Sequence, residues 1–154
     1  MICPKCGGRI TVKSNCEKCK ISYDEMISSI RHDEMKRLFL KADELIRHHK
    51  SIELEESLLA CELANSSLLI PVIRVDGGLK VRTIPHPITN KDFIMLFTDK
   101  EEYDKCEKKI DPMTNPFRHI IPLLDDEVEG FVINAGGVSC ELPRKYIDKF
   151  FGDA

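Results

Sequence analysis

The sequence predicts an α+β protein in which one mixed β-sheet packs against helices and follows a small four-cysteine zinc-ribbon hairpin. Two CxxC pairs lie in the first 22 residues, and apolar side chains recur at helical spacing over residues 24–64. Short runs of strand-forming residues between turn signals follow over residues 68–142. These three observations define the predicted fold class.

The chain of 154 residues is long enough for one domain with its own core, whereas the cysteine hairpin is too small to bury one alone. We therefore divide the chain into three parts. Residues 1–23 are the predicted zinc ribbon, residues 24–50 a connecting amphipathic helix, and residues 51–154 the α+β domain.

The first CxxC pair is Cys3 and Cys6, and the second is Cys16 and Cys19. Each pair can direct two thiolates to one side of a metal, and the nine residues between the pairs suffice for a strand, a turn and a returning strand. Four thiolates in a tetrahedron are a preferred ligand set of structural zinc. The sequence therefore predicts a structural Zn²⁺ site, and we expect this hairpin to fold only with metal bound.

Other sulfur chemistry is less consistent with these cysteines. Spacing alone does not separate zinc from iron in a rubredoxin-like site. A catalytic zinc needs an open coordination position, which four cysteines do not leave. Thioredoxin-type redox pairs begin a helix, whereas these pairs lie in a short hairpin. The remaining cysteines, Cys61, Cys106 and Cys140, are interpreted as reduced core or surface thiols.

The connecting helix over residues 24–50 is predicted to begin with Asp24 as its N-cap. Met35, Ala42 and His49 repeat at seven-residue spacing, but for only about two heptads. Packing of this amphipathic helix on its own domain is therefore favoured over self-association or partner docking.

A second helix is predicted over residues 52–64 with Ser51 as its cap, and a stripe of Leu54, Leu58 and Cys61 runs beside Leu59 and Leu63.

The first predicted strand covers residues 68–75. Because Pro71 has no amide donor, we expect a sheet edge or a bulge at that position. Asp76, Gly77 and Gly78 form a hairpin turn signal into a second strand over residues 79–84.

The third and most hydrophobic predicted strand covers residues 91–97, and residues 98–101 match a capping box with Thr98 as the N-cap of the next helix. The remaining predicted elements are a turn-rich connector at 111–115, a short helix at 117–124, strands at 128–134 and 138–142, and a final helix at 144–151.

Charge is unevenly distributed along the chain. Residues 1–50 carry a net charge of +4 and residues 51–154 a net charge of -7. Four thiolates around Zn²⁺ would lower the first value to about +2, which is too weak to require a nucleic-acid partner. No signal peptide or membrane-spanning run is recognisable, so we expect a soluble cytoplasmic protein.

Three segments occur in a familiar order and spacing: LLIPV at residues 68–72, FIMLFTDKEEY at residues 93–103 and GFVINAGG at residues 130–137. Together they resemble the amino-terminal domain of the SseB family, the enhanced serine sensitivity proteins, over roughly residues 51–151. Ala135 departs from the proline expected after the asparagine. A second departure that we expect is the lack of the carboxy-terminal domain that follows in the family.

The first segment of the chain is similar to the short zinc-ribbon modules found in many bacterial proteins. The two resemblances together imply a zinc-ribbon protein with an SseB-like domain. Because the family has no established reaction, the resemblance implies no catalytic residues.

Several polar residues are weaker candidates for sites. His48 and His49 would point about 100° apart on a helix, so a polar helix end is favoured over a metal pair. His86 lies between two prolines and could face a ligand, with a plain surface loop as the favoured alternative. His119 beside Arg118 could bind an anion, but no acidic partner or nucleophile is near in sequence.

Two charged groups have similar alternatives. An acidic turn could bind a divalent cation, but it lacks the ligand pattern and glycine of a calcium loop and is interpreted as solvated. Its members are Asp125, Asp126, Glu127 and Glu129. Arg74 and Arg82 could be neighbours across a hairpin and form a small cationic surface for an acidic peptide or anion, with ordinary exposed arginines as the alternative.

No nucleophile elbow, P-loop or dinucleotide fingerprint is present, so we do not expect an enzyme. We expect a non-catalytic adaptor that binds a protein or peptide, at the strand edge near Pro71, and that dimerises or is positioned through its ribbon and helix. An enzyme of sulfur or amino-acid metabolism is supported only by the family name.

The alternative to the adaptor is nucleic-acid binding through basic ribbon side chains, although Tyr23 is the only aromatic residue there. These basic residues are Lys5, Arg9, Lys13, Lys18 and Lys20.

We predict that Cys16→Ser abolishes stoichiometric zinc binding and loosens the first twenty or so residues while residues 51–154 stay folded. Metal analysis of the purified protein gives the first readout and circular dichroism the second. Cooperative loss of the whole circular dichroism signal in this variant would contradict the proposed division of the chain.

Overall fold

The computed structural model describes Cys3 and residues 22–152. The helices are α1 (Tyr23–Ser29), α2 (Asp33–Arg47), α3 (Glu53–Ala64), α4 (Lys100–Cys106), α5 (Phe117–Ile120) and α6 (Arg144–Phe151), with a 3₁₀ turn (Ile121–Leu123) after α5. The strands are β1 (Ser67–Val75), β2 (Gly78–Val81), β3 (Thr83–Pro85), β4 (Asp92–Leu96), β5 (Pro112–Pro116), β6 (Val128–Ile133) and β7 (Cys140–Pro143). None of the helices in this part of the chain is long and apolar enough to cross a membrane.

The strands form two sheets, where the sequence predicted one. An antiparallel sheet has the order β2-β1-β5, and a mixed sheet has the order β3-β4-β6-β7 with β4 and β6 parallel. Leu69 and Phe97 exchange backbone hydrogen bonds of 2.9 Å and connect the two sheets. The predicted α+β class is confirmed at this coarser level.

The predicted strand over residues 79–84 is divided between the two sheets. β2 ends at Val81, β3 begins at Thr83, and Arg82 between them donates its backbone N–H to the carbonyl oxygen of Pro71 at 3.0 Å. Pro71 does not lie on an outer edge, because it marks the point where β1 stops pairing with β5 and begins to pair with β2. Its missing donor therefore falls where the ladder changes partner.

The predicted connector at residues 111–115 is in fact strand β5. It pairs antiparallel with β1 over its whole length, with Pro116 opposite Ser67 and Pro112 opposite Pro71. Two prolines in five residues oppose a strand assignment from sequence, and only pairing with a distant strand makes this segment extended.

Strands β4 and β6 are buried on both faces of the mixed sheet. Ile94 and Leu96 contribute to one core, where α2, α3 and α6 cover the sheet. Phe93 and Met95 contribute to a second core, which α1 and Cys3 cover. Parallel strands with both faces covered have nearly continuous apolar sequences, which explains why this segment is the most hydrophobic of the chain.

The predicted helix over residues 24–50 is two helices separated at residues 30–32. α1 is capped by Ser22, whose Oγ accepts a hydrogen bond from the N–H of Glu25 at 3.1 Å, so the predicted Asp24 cap is wrong. The break lets α1 bury Met26 in the second core while α2 buries Met35 in the first. Packing of the helical segment on its own domain is thus what the structure shows.

Two further helix predictions need correction. The cap of α4 is Asp99, not Thr98, because the Oδ1 atom of Asp99 accepts a hydrogen bond from the N–H of Glu102 at 2.9 Å. α3 buries Leu59 and Leu63, whereas the predicted stripe beside them faces solvent.

Glycine is required where β6 and β7 approach each other. A Cβ atom added to Gly130 would lie 2.2 Å from the carbonyl oxygen of Leu142. In the hairpin between β1 and β2, Gly77 has a φ of 90°, which side chains rarely adopt, so the predicted turn is confirmed.

We predict that Phe117→Ala lowers the free energy of unfolding by about 3–5 kcal/mol, because it removes a fully buried ring that packs edge-on against Phe131 and Phe151. The control Ile88→Ala removes a side chain that is 88% exposed and should change stability by less than about 0.5 kcal/mol. Urea unfolding measures both, and equal effects would contradict this placement of the core.

Candidate functional site

Of the predicted zinc ligands, Cys3 lies within the described residues, and Cys6, Cys16 and Cys19 lie outside them. Cys3 is 1% exposed and belongs to the second core with Met26 and Tyr23. Four cysteine thiolates are a donor set that structural zinc prefers, so the residue types fit the proposed group. Among the described residues, no three histidine, cysteine, aspartate or glutamate side chains are grouped so that they could hold a metal ion.

A cleft of about 250 Å³ opens between α2, α3, α6 and β7. Its apolar floor is formed mainly by Leu38, Phe39 and Leu59 from the helices together with Leu142 from β7. Pockets that enclose whole small ligands usually measure roughly 300–1,000 Å³. The volume of this cleft lies just below that range and is sufficient for apolar side chains of a larger partner.

The cleft meets β7 at its edge. All four residues of the strand, Cys140–Pro143, line the opening, although neighbouring side chains of a strand point to opposite faces. β7 is the last strand in the order β3-β4-β6-β7, and no described strand pairs with its outer side. The cleft therefore combines apolar surface with the outer edge of a strand.

Charges of both signs surround the cleft. Glu55 and Glu56 of α3 lie on one side, and Lys145 and Lys149 of α6 lie on the other. The hydroxyl of Tyr146 donates a hydrogen bond to the carbonyl oxygen of Glu56 at 2.8 Å and so ties α6 to α3. An occupant with an apolar centre and polar ends would match this rim.

Two titratable side chains of the cleft, Cys140 and Tyr146, are held in their neutral forms. Burial and the nearby Glu141 carboxylate raise the pKa of the Cys140 thiol to about 12, so the reactive thiolate is disfavoured. Burial also raises the pKa of Tyr146 above its ordinary value.

A buried polar cluster lies at the carboxyl ends of the parallel strands β4 and β6. The Asn134 side chain accepts a hydrogen bond from the N–H of Thr98 at 3.1 Å and donates one to the hydroxyl of Thr98 at 3.0 Å. The ammonium of Lys36 lies 3.3 Å from Asp99 and 3.4 Å from Glu102, and Lys105 lies 2.9 Å from Glu102. Carboxyl ends of parallel strands commonly bind ligands, but here two ammonium groups already balance the two carboxylates.

The pKa values in this cluster follow the ion pairs. Burial opposes ionisation of Asp99, but the hydrogen bond from Glu102 and the charge of Lys36 outweigh it and hold the pKa of Asp99 below its ordinary value. Burial likewise opposes the charged form of Lys36, but Asp99 and Glu102 raise the pKa of Lys36. The cluster therefore stabilises the contact of α2 with α4.

His86 lies in a second cavity of about 170 Å³ that Ser139 and Glu141 also line. These residue types can form a nucleophilic triad, but here neither imidazole nitrogen is available to activate a hydroxyl. Nδ1 of His86 accepts hydrogen bonds from the N–H groups of Ile88 and Thr89, and Nε2 lies 3.0 Å from Glu141. His86 therefore shapes the loop before β4.

The weaker candidates lie on the surface. His48 and His49 directly follow α2, and His119 is exposed on α5. The predicted acidic turn contains an exposed Asp125 whose Oδ1 accepts a hydrogen bond from the N–H of Glu127 at 2.8 Å. These positions agree with the interpretations of a polar helix end and a solvated turn.

Arg74 and Arg82 are not neighbours across the hairpin. Arg74 is paired with Leu79, and the backbone of Arg82 bonds to Pro71, three positions away along β1. The guanidinium of Arg82 instead forms a hydrogen-bonded ion pair with Glu107. Register, which the sequence did not reveal, separates the two arginines.

Sequence reasoning missed both the cleft and the polar cluster. Lys36 meets Asp99 across 63 residues of chain, and β7 meets α2 across about a hundred, so no local spacing indicates either contact. The residue pattern at 138–142 predicts a strand, but the position of that strand at a sheet edge follows only from the strand order.

No family model, curated protein or solved structure matches the chain.

We predict that Asp99→Asn lowers the free energy of unfolding at neutral pH and that the difference from wild type shrinks as the pH falls below about 4. A carboxyl group whose folded-state pKa is lowered stabilises the protein above its unfolded value, near 3.8, and loses that effect on protonation. Asp99→Ala should cost about 1 kcal/mol more than Asp99→Asn, since asparagine still caps α4. Urea titrations at several pH values test this, and a pH-independent difference would contradict it.

Proposed function

We propose that this protein is a non-catalytic adaptor that binds an extended peptide at the free edge of β7. The observation that carries the proposal is the coincidence of an unpaired strand edge with an apolar cleft beside it. In strand addition, main-chain hydrogen bonds supply affinity and alternate side chains fill pockets that supply specificity. Apolar side chains at alternate positions of the peptide would enter the cleft.

This site differs from the strand edge near Pro71 expected from the sequence. Pro71 lies inside the antiparallel sheet, with β5 on one side and the backbone of Arg82 on the other. β7 lies at the edge of its sheet, whereas Pro71 does not. The charges of Glu55 and Lys145 at the rim of the cleft would orient the peptide.

A short edge strand with a charged residue and a proline is also how proteins prevent unwanted strand pairing. β7 has both, in Glu141 and Pro143. Such protection does not require an apolar cleft next to the edge, however, and the cleft is the feature that favours a binding role.

The adaptor is proposed to carry a structural Zn²⁺ held by Cys3, Cys6, Cys16 and Cys19. The spacing of the four cysteines and their thiolate chemistry support this ligand set. When bound, the ion would provide a cross-link that holds the hairpin together. Membership of the SseB family, a cytoplasmic location and dimerisation through the residue 24–50 segment remain predictions.

Nucleic-acid binding through the ribbon also remains a prediction, and the described residues give it little added support. A basic surface near α4 contains Arg82, Lys105, Lys108 and Lys109, and Glu107 and Glu102 pair with the first two. A strong decrease of RNA or DNA affinity with rising salt would favour this alternative.

We predict that Ala42→Trp abolishes peptide binding, because Ala42 lines the cleft and an indole there would fill it. Lys41→Trp is the matched control, since it places the same side chain on the exposed face of the same helix. Peptides are selected from a random displayed library with the full zinc-bound chain, and their affinities for each variant are measured by fluorescence polarisation.

Binding should weaken by at least about tenfold in Ala42→Trp and stay unchanged in Lys41→Trp. Amide hydrogen exchange should slow in β7 when the peptide is bound. Selected peptides that bind Ala42→Trp and wild type equally, or no enrichment of peptides at all, would refute the proposed site.

A further inference from the structure

Helix α3 is apolar on two opposite faces. Leu59 and Leu63 are buried in the first core, at 5% and 0% exposure. On the other side, Leu54 is 66% exposed, Leu58 is 45% exposed, and Cys61 is exposed. We refer to Leu54, Leu58 and Cys61 as the α3 stripe.

The stripe is continuous along the helix. Its residues are spaced by four and three positions, so at about 100° per residue they fall within a sector of about 60°. This sector lies on the side away from Leu59 and Leu63. A surface helix normally has a polar outer face, whereas a helix with apolar residues all round is normally covered.

The flanks of the stripe are acidic. α3 contains Glu53, Glu55, Glu56 and Glu62 and has no lysine, arginine or histidine. None of these glutamates forms an ion pair within the part of the chain that the structure describes. Glu53 and Glu62 border the stripe on opposite sides, so its occupant would meet negative charge on both.

We propose that the α3 stripe is the docking surface for an amphipathic helix of a partner protein, with apolar side chains at three- and four-residue steps and lysine or arginine on its flanks. The exposed leucines supply the apolar contact, and the uncompensated glutamates select a basic partner. A second copy of this chain is disfavoured because two α3 helices would place Glu53 and Glu62 beside each other's carboxylates.

The stripe is separate from the peptide cleft. The α3 residues that line the cleft are Glu55, Glu56 and Leu59, on the inner side of the helix, together with Ile52 just before it. One chain can therefore hold an extended peptide at β7 and a basic helix at α3, as an adaptor requires. This inference does not depend on the peptide site.

The probe is a fluorescein-labelled synthetic helical peptide with leucine at heptad spacing and lysine on both flanks. A second peptide carries glutamate in place of each lysine. Fluorescence anisotropy with the full zinc-bound chain should show binding of the lysine peptide that weakens with added salt, and no binding of the glutamate peptide.

The combined variant Leu54→Ser and Leu58→Ser should weaken binding of the lysine peptide by at least about tenfold. Leu79→Ser is the matched control, because Leu79 is 60% exposed but lies on the β2 hairpin. The affinity of this control variant for the lysine peptide should be unchanged. Glu53→Lys with Glu62→Lys should lower affinity for the lysine peptide and raise it for the glutamate peptide. Circular dichroism checks the fold, and Leu58→Ser alone replaces the combined variant should that variant not fold.

Equal affinities in the stripe variant and in Leu79→Ser would overturn the proposal. A second result would also overturn it: the lysine peptide fails to bind wild type, sedimentation shows a dimer, and Leu58→Ser dissociates that dimer. The occupant of the stripe would then be a second copy of the chain. Ala42→Trp should retain binding of the lysine peptide, which separates failure of this surface from failure of the cleft.

Discussion

The burial of β4 and β6 on both faces is the constraint on which the rest of the structure depends. Phe93 and Ile94 are adjacent in sequence, yet they lie in different cores. Each face must be covered, because exposing either would leave large apolar side chains in water. α2, α3 and α6 cover one face, and α1 with Cys3 covers the other. The interruption after Ser29 is the local consequence, since one straight helix could not cover both sides of a sheet.

The buried polar cluster secures this arrangement where the parallel strands end. Asn134 binds the turn before α4, and Lys36 reaches from α2 to Asp99 and Glu102. A paired buried charge is tolerated only with its partner in place, so the cluster fixes how α2 lies relative to α4. The helix layer is thereby held over the first core.

The two proposed binding surfaces arise where that helix layer ends. At β7, the last strand of its sheet, the helices leave an apolar cleft beside the sheet edge. On α3 the inner face completes the core while Leu54 and Leu58 remain exposed between acidic side chains. Binding at either surface would therefore use apolar area that the domain itself does not bury.

The sequence by itself determined the elements whose cause is local. The turn at Gly77 depends on a backbone conformation that glycine provides, and the amphipathic burial of α2 follows from 3.6-residue periodicity. The CxxC spacing that predicts a zinc site is likewise a local signal.

Tertiary structure decided what depends on distant partners. β5 is extended only because β1 pairs with it, Arg82 is separated from Arg74 by register, and the cleft exists only once β7 becomes the last strand of its sheet. Hydrogen-bonding between strands far apart in sequence leaves no spacing pattern, so these features could not be predicted from the chain alone.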